Sequence, residues 1–189
     1  RTGLATFGTD GKPILDADGV AGWTEKFDER GNIIESAYFG TDGKPILGKD
    51  GYARQASQFD ERGNSVFWAD YDARGQPSLN TDGCYQGAAK WDEREHRTEW
   101  QCLDSQGRLM LSKNGVARQT FKYDARGNQL EMRFFGTNGE PTLGKSGFAT
   151  ETRTYDARGN RTRVAYFGTD GEPILDADGV AGWTEKFDE

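Results

Sequence analysis

Asp28 and Arg30, Asp60 and Arg62, Asp124 and Arg126, and Asp156 and Arg158 repeat one arrangement: a carboxylate, a guanidinium two residues on, then a glycine at Gly31, Gly63, Gly127 and Gly159. An acid beside a base in a glycine loop is a pairing that can move a proton or hold an anion. The same spacing is also what a tight turn demands. Aspartate accepts backbone N–H bonds at the turn start, two ordinary residues bridge it, and glycine takes the positive φ of a bulged hairpin. Turn geometry accounts for every copy, so these residues are assigned a structural role. One further copy, Asp92 to His96, puts Glu95 where the glycine belongs, and a strained or differently shaped turn is expected there.

Few other groups offer chemistry. Asp16 and Asp18 lie in "DADG", a string repeated at Asp176 to Gly179, which is similar to the start of a calcium loop where alternate oxygens ligate a hard cation. The twelfth position of such a loop falls on Phe27, and the internal copies read "GKDG", "NTDG", "SKNG" and "GKSG". An Asx-type turn is the better account, and no metal is assigned. His96, the single histidine, is expected at the surface; with no second imidazole and no cysteine pair at ligand spacing, a His-ligated zinc site or a Ser-His-Asp triad is hard to build. No catalytic residue and no cofactor are assigned. Trp23 and Trp183 fill a slot held elsewhere by Gln55, Gly87, Gln119 and Glu151, which suggests a solvent-facing position. The two indoles are candidates for stacking on a sugar or a partner.

Cys84 and Cys102 are the only cysteines and replace the residues equivalent to Val20 and Tyr38. Those positions are expected on opposite strands of one hairpin and on the same face, so a disulfide is anticipated. It would close a loop of about 18 residues and contribute roughly 3 kcal/mol. It implies an oxidising location: secreted, periplasmic or cell-surface.

What must position all of these groups is a repeat. "FGTDGKPIL" at Phe7 to Leu15 returns at Phe39 to Leu47, and as "FGTDGEPIL" at Phe167 to Leu175. Its opening residue recurs every 32 residues, at Phe7, Phe39, Tyr71, Leu103, Phe135 and Phe167. A fixed period in this range marks a repeat architecture. The units run 7–38, 39–70, 71–102, 103–134, 135–166 and, in part, 167–189. Each contains two stretches rich in aromatic and β-branched residues around the "DERG" turn, then a Gly- and Pro-containing connector. The expected fold is all-β: tandem 32-residue hairpins forming an elongated, twisted antiparallel sheet, solenoid or spiral. An isolated hairpin is marginal in water, so each unit must lean on its neighbours. Residues 161–189 match residues 1–29 at all but four positions, and the chain starts in mid-repeat, which suggests a piece of a longer array.

A net charge of −7 argues against a nucleic-acid backbone or an anionic membrane as partner. No apolar run approaches the length needed to span a bilayer, so membrane insertion is not expected. Mean hydropathy is −0.87, while aromatics reach 12% and recur at fixed places, a combination that fits short strands and tight turns and excludes disorder.

"YDARGN" at Tyr123 to Asn128 and at Tyr155 to Asn160, with "FDERGN" at Phe27 and Phe59, resembles the YD repeat of bacterial RHS-type proteins. The resemblance implies hairpins whose strands spiral into a large β-sheet shell on secreted or surface toxins. The "DG...AGW" string is similar to choline- or cell-wall-binding repeats. The resulting expectation is a noncatalytic module, a structural scaffold or interaction surface in a larger bacterial secreted or surface protein. Its partners would be neighbouring repeats of the parent chain and a protein or cell-wall polysaccharide. A carbohydrate-binding array and part of an RHS-like toxin shell are the alternatives.

Overall fold

The computed structural model describes residues 2–188, and every regular element in it is a β-strand. The strands are β1 Gly3–Ala5, β2 Gly22–Phe27, β3 Ile33–Phe39, β4 Arg54–Phe59, β5 Ser65–Tyr71, β6 Gln86–Trp91, β7 Arg97–Leu103, β8 Arg118–Tyr123, β9 Gln129–Phe135, β10 Thr150–Tyr155, β11 Arg161–Phe167 and β12 Gly182–Thr184. The first strand of each hairpin begins at 22, 54, 86, 118 and 150, and the second at 33, 65, 97, 129 and 161. The strand boundaries therefore keep the 32-residue step of the sequence. Sheet order follows chain order from β1 to β12, so the sheet is open and antiparallel. Two compact units divide the chain, one of residues 1–88 with 103–108 and one of residues 89–102 with 109–189.

Within a hairpin the ladder is long. β2 and β3 pair from Gly22↔Phe39 to Phe27↔Ile33, with a bulge between Lys26 and Phe27. β4–β5, β8–β9 and β10–β11 repeat both the register and the bulge. Pairing between successive hairpins is shorter, as in Glu35↔Ala56, Ser36↔Gln55 and Ala37↔Arg54. The bulge follows from the turn: Gly31 sits at φ 88°, where only glycine is free of strain, and its N–H donates to the Asp28 carbonyl.

The connector after each hairpin returns toward the sheet through Phe39↔Pro45, Tyr71↔Pro77, Phe135↔Pro141 and Phe167↔Pro173 bridges. It then delivers a residue pair to the interior. In the first unit these are Val20 with Ala21 and Tyr52 with Ala53; in the second they are Val116 with Ala117 and Phe148 with Ala149. The delivered aromatic packs on strand aromatics: Tyr52 lies 5.7 Å from Tyr38, and Phe148 stacks on Phe134 at 5.4 Å and on Tyr166 at 4.6 Å. One face of the sheet is thus covered by connectors. The other carries the ion pairs of Glu35, Glu99 and Glu131.

Candidate interaction surfaces

The turn aspartates are saturated by their own turns. Asp28 Oδ1 accepts from the Arg30 and Asn32 backbone N–H groups, and Oδ2 accepts from Asn32 Nδ2 at 2.8 Å. Asp60, Asp124 and Asp156 accept in the same way from Asn64, Asn128 and Asn160. The asparagine side-chain bond is the main cause that holds all four carboxyls below their ordinary value. The arginines point elsewhere. Arg30 donates to the Asp60 carbonyl, Arg126 to the Ala157 and Asp156 carbonyls, and Arg158 to the Asp188 carbonyl. Acid and base therefore do not meet as a catalytic pair; the carboxylate closes its own turn and the guanidinium ties that turn to the next one.

The Glu95 turn is strained without being differently shaped. Glu95 is the one non-glycine among the described residues at positive φ, 66°, and it still donates to the Asp92 carbonyl as the glycines do. His96 stands in the asparagine slot. It is half-buried rather than exposed, because Nδ1 lies 3.1 Å from Asp92 Oδ2 and its ring stacks on Tyr123 at 4.7 Å.

Asp16 Oδ1 accepts from the Asp18 and Val20 backbone N–H groups, and Asp18 pairs with Lys49 at 2.9 Å. Both carboxylates are thus engaged in turn and surface contacts. Among the described residues no three His, Cys, Asp or Glu side chains gather as metal ligands. Cys84 and Cys102 are both disulfide-bonded and fully buried. Cys84 lies two residues before β6 rather than on a strand, where Asn80 Oδ1 accepts its N–H.

The tryptophan slot is not solvent-facing. Trp23 pairs with Tyr38 and Trp183 with Val164 on the connector-covered face, and both indoles are half-buried. Arg161 lies 4.7 Å from the Trp183 ring centre. The same column holds the buried Asp70, opposite Gln55, whose Nε2 donates to Oδ1 at 2.8 Å while Asn80 Nδ2 donates to Oδ2 at 3.1 Å. No pattern of charge in the sequence marks Asp70 as buried; only the identity of its slot does.

On the opposite face, carboxylates stand between cations. Glu35 receives Lys26 at 2.8 Å and Arg54 at 3.2 Å, and Glu99 receives Lys90 at 2.8 Å and Arg118 at 3.1 Å. The Lys26 hydrogen bond leads the causes that hold Glu35 below its ordinary value, against some burial. Arg54 also caps the Tyr71 ring at 3.8 Å, and Arg118 caps Phe135 at 3.9 Å. The guanidinium is thus shared between a ring and a carboxylate, an arrangement in which cation–π and ion-pair attraction add.

No helix among the described residues is long and apolar enough to cross a membrane. No protein-family model matches the chain, and no curated protein does. Solved structures similar to it include the crystal structure of TcdB2-TccC3, 12% identical, covering 96% of this chain and 10% of that one, with a TM-score of 0.43. A mutant form of the Photorhabdus luminescens Tc holotoxin pore is 13% identical, covering 96% of this chain and 9% of that one, also with a TM-score of 0.43. This chain spans about a tenth of the length of those two. The function of the chain therefore rests on its own residues.

Proposed function

We propose that the chain is a noncatalytic repeat module, a structural scaffold and interaction surface in a larger bacterial protein that is secreted or displayed on the cell surface. The observation that carries this reading is a leucine present in every repeat and buried in none. Leu15, Leu47, Leu79, Leu111, Leu143 and Leu175 are 44 to 59% exposed. Scattered exposed apolar residues need no explanation. The same residue at the same step of each repeat is a periodic contact point, and many weak contacts gain strength by acting together. The polar chemistry supports the reading from the other side, since Arg30, Arg94, Arg126 and Arg158 each donate to the next turn along the chain. The disulfide is consistent with an oxidising compartment. The YD-like turns favour a shell of the RHS type as the particular scaffold.

Substitution of Leu47, Leu79, Leu111 and Leu143 by serine tests the carrying observation. The expected result is an unchanged thermal midpoint, and a large fall would place these side chains in the core. Co-sedimentation with purified bacterial cell walls and insoluble polysaccharides separates the carbohydrate-binding alternative. The scaffold predicts no saturable pelleting; pelleting that a Trp23→Ala, Trp183→Ala variant loses would replace it with a carbohydrate-binding array.

A further inference from the structure

The connectors of successive repeats meet through one pair of positions. In the first repeats the pair is Asp18 with Lys49, whose Oδ1 and Nζ lie 2.9 Å apart. Three repeats further on, the same two positions hold Asn114 and Lys145. The connectors touch there through the backbone, the Lys145 N–H donating to the Asn114 carbonyl at 2.9 Å. The lysine of the pair is kept, and its acid is present only as the amide. Among the described residues Lys145 has no carboxylate partner.

Asn114 is followed by Gly115. An asparagine before a glycine is the arrangement in which a side-chain amide converts itself to an acid, because no Cβ keeps the next backbone nitrogen away from the side-chain carbonyl carbon. Asn114 is exposed, and its side chain holds no hydrogen bond among the described residues. A second pair, Asn138 with Gly139, gives an internal comparison. It is exposed too, and in both pairs the glycine N–H donates to the carbonyl three residues back. The side chains differ. Asn138 Oδ1 accepts the Glu140 N–H at 3.1 Å, a bond that has to break before the side chain turns onto Gly139.

We propose that Asn114 is a self-modifying site, converted by water to an aspartate that pairs with Lys145 and completes the junction already made by Asp18 and Lys49. The Gly115 nitrogen, released from the Ser112 carbonyl, loses its proton and attacks Asn114 Cγ. The bond from Cγ to the side-chain nitrogen breaks, and ammonia leaves with that proton. Water then opens the cyclic imide and restores the Gly115 N–H, so one water is consumed for each ammonia released. Attack at Cγ gives aspartate; attack at the main-chain carbonyl gives isoaspartate, with an extra methylene in the backbone. The folded connector favours aspartate, because the methylene would displace the carbonyl that accepts from Lys145. An acid also fits the turn: this position is Asp18, Asp50, Asp82 and Asp178 in other repeats, and Gly19 and Gly115 share a φ of 78°. The reaction needs only water and holds whether or not the array serves as a scaffold.

The test is storage of the intact chain at mildly alkaline pH, followed by peptide mass spectrometry at 114 and 138, with each rate taken relative to the urea-unfolded chain. Asn114 should convert several-fold faster than Asn138 in the folded protein, with aspartate exceeding isoaspartate. Asn114→Asp should raise the thermal midpoint by roughly 1–2 °C at low salt, the size of an exposed ion pair. Lys145→Ala in that variant should remove the gain. No conversion at Asn114, conversion at Asn138 that is as fast, isoaspartate as the main product, or a midpoint that Asn114→Asp leaves unchanged or Lys145→Ala fails to return would each overturn the site.

Discussion

The Arg126 guanidinium donates to the backbone carbonyls of Ala157 and Asp156, in the turn one repeat further along the chain. Arg94 makes the equivalent bond to the Ala125 carbonyl. Pairing between successive hairpins is short, so these ties add to a weak seam. Arg126→Ala is expected to lower stability by about 0.5–1 kcal/mol, below the usual range for charged hydrogen bonds because the site is exposed. Arg126→Lys should recover only part of this, since an ammonium lacks the planar fork that reaches two neighbouring carbonyls. Urea denaturation measures the loss, and hydrogen exchange at residues 156–159 should quicken with it. Wild-type behaviour in both would mean the tie contributes nothing.

Glu95→Gly should stabilise the chain by roughly 1 kcal/mol, because the left-handed conformation costs an L-residue about that much and costs glycine almost nothing. The turn hydrogen bonds are already those of a glycine turn. An unchanged urea midpoint would show that Glu95 carries a compensating contact.

Gly87 makes room for Trp68. A Cβ on Gly87 would lie 2.1 Å from the indole, and the two residues pair directly across β5 and β6. Gly87→Ala is expected to cost about 1–3 kcal/mol by overpacking. Trp68→Ser, which copies Ser36 at the matching position, should remove most of that penalty. A double-mutant cycle reads the coupling, and simple additivity of the two changes would contradict the clash.

Acid and base arms of the stability profile have different owners. Burial raises the Asp70 carboxyl above its ordinary 3.8, although Gln55 and Asn80 hydrogen bonds pull the other way. A raised value means that the contribution of Asp70 is complete below 3.8 and declines as pH rises through the raised value. Asp28, Asp60, Asp124 and Asp156 have lowered values, so their contribution is held above 3.8 and lost as pH falls through them. Asp70→Asn should therefore gain about 1 kcal/mol at pH 7, with Asn80 still donating to the amide oxygen and Gln55 turned to accept from the new NH2. Near pH 3 the gain should vanish. Urea midpoints of the two proteins at both pH values decide it, and an equal gain at both would remove titration as the cause.

The period, the strands and the glycine turns were legible in the sequence because each depends on local conformation. Positive φ selects glycine at 31, 63, 127 and 159, and alternation along seven-residue strands needs no distant partner. The sides of the sheet were not legible. A hairpin repeat has two faces of similar composition, and only the return of the connector decides which of them is buried. That return half-buries the slot of Trp23 and Trp183 and encloses Asp70, while it leaves the most regular leucine of the repeat in solvent. The sequence assigns the turn arginines to their own turns, yet the partners of Arg30 and Arg126 lie about 30 residues away and appear only when the next hairpin is stacked.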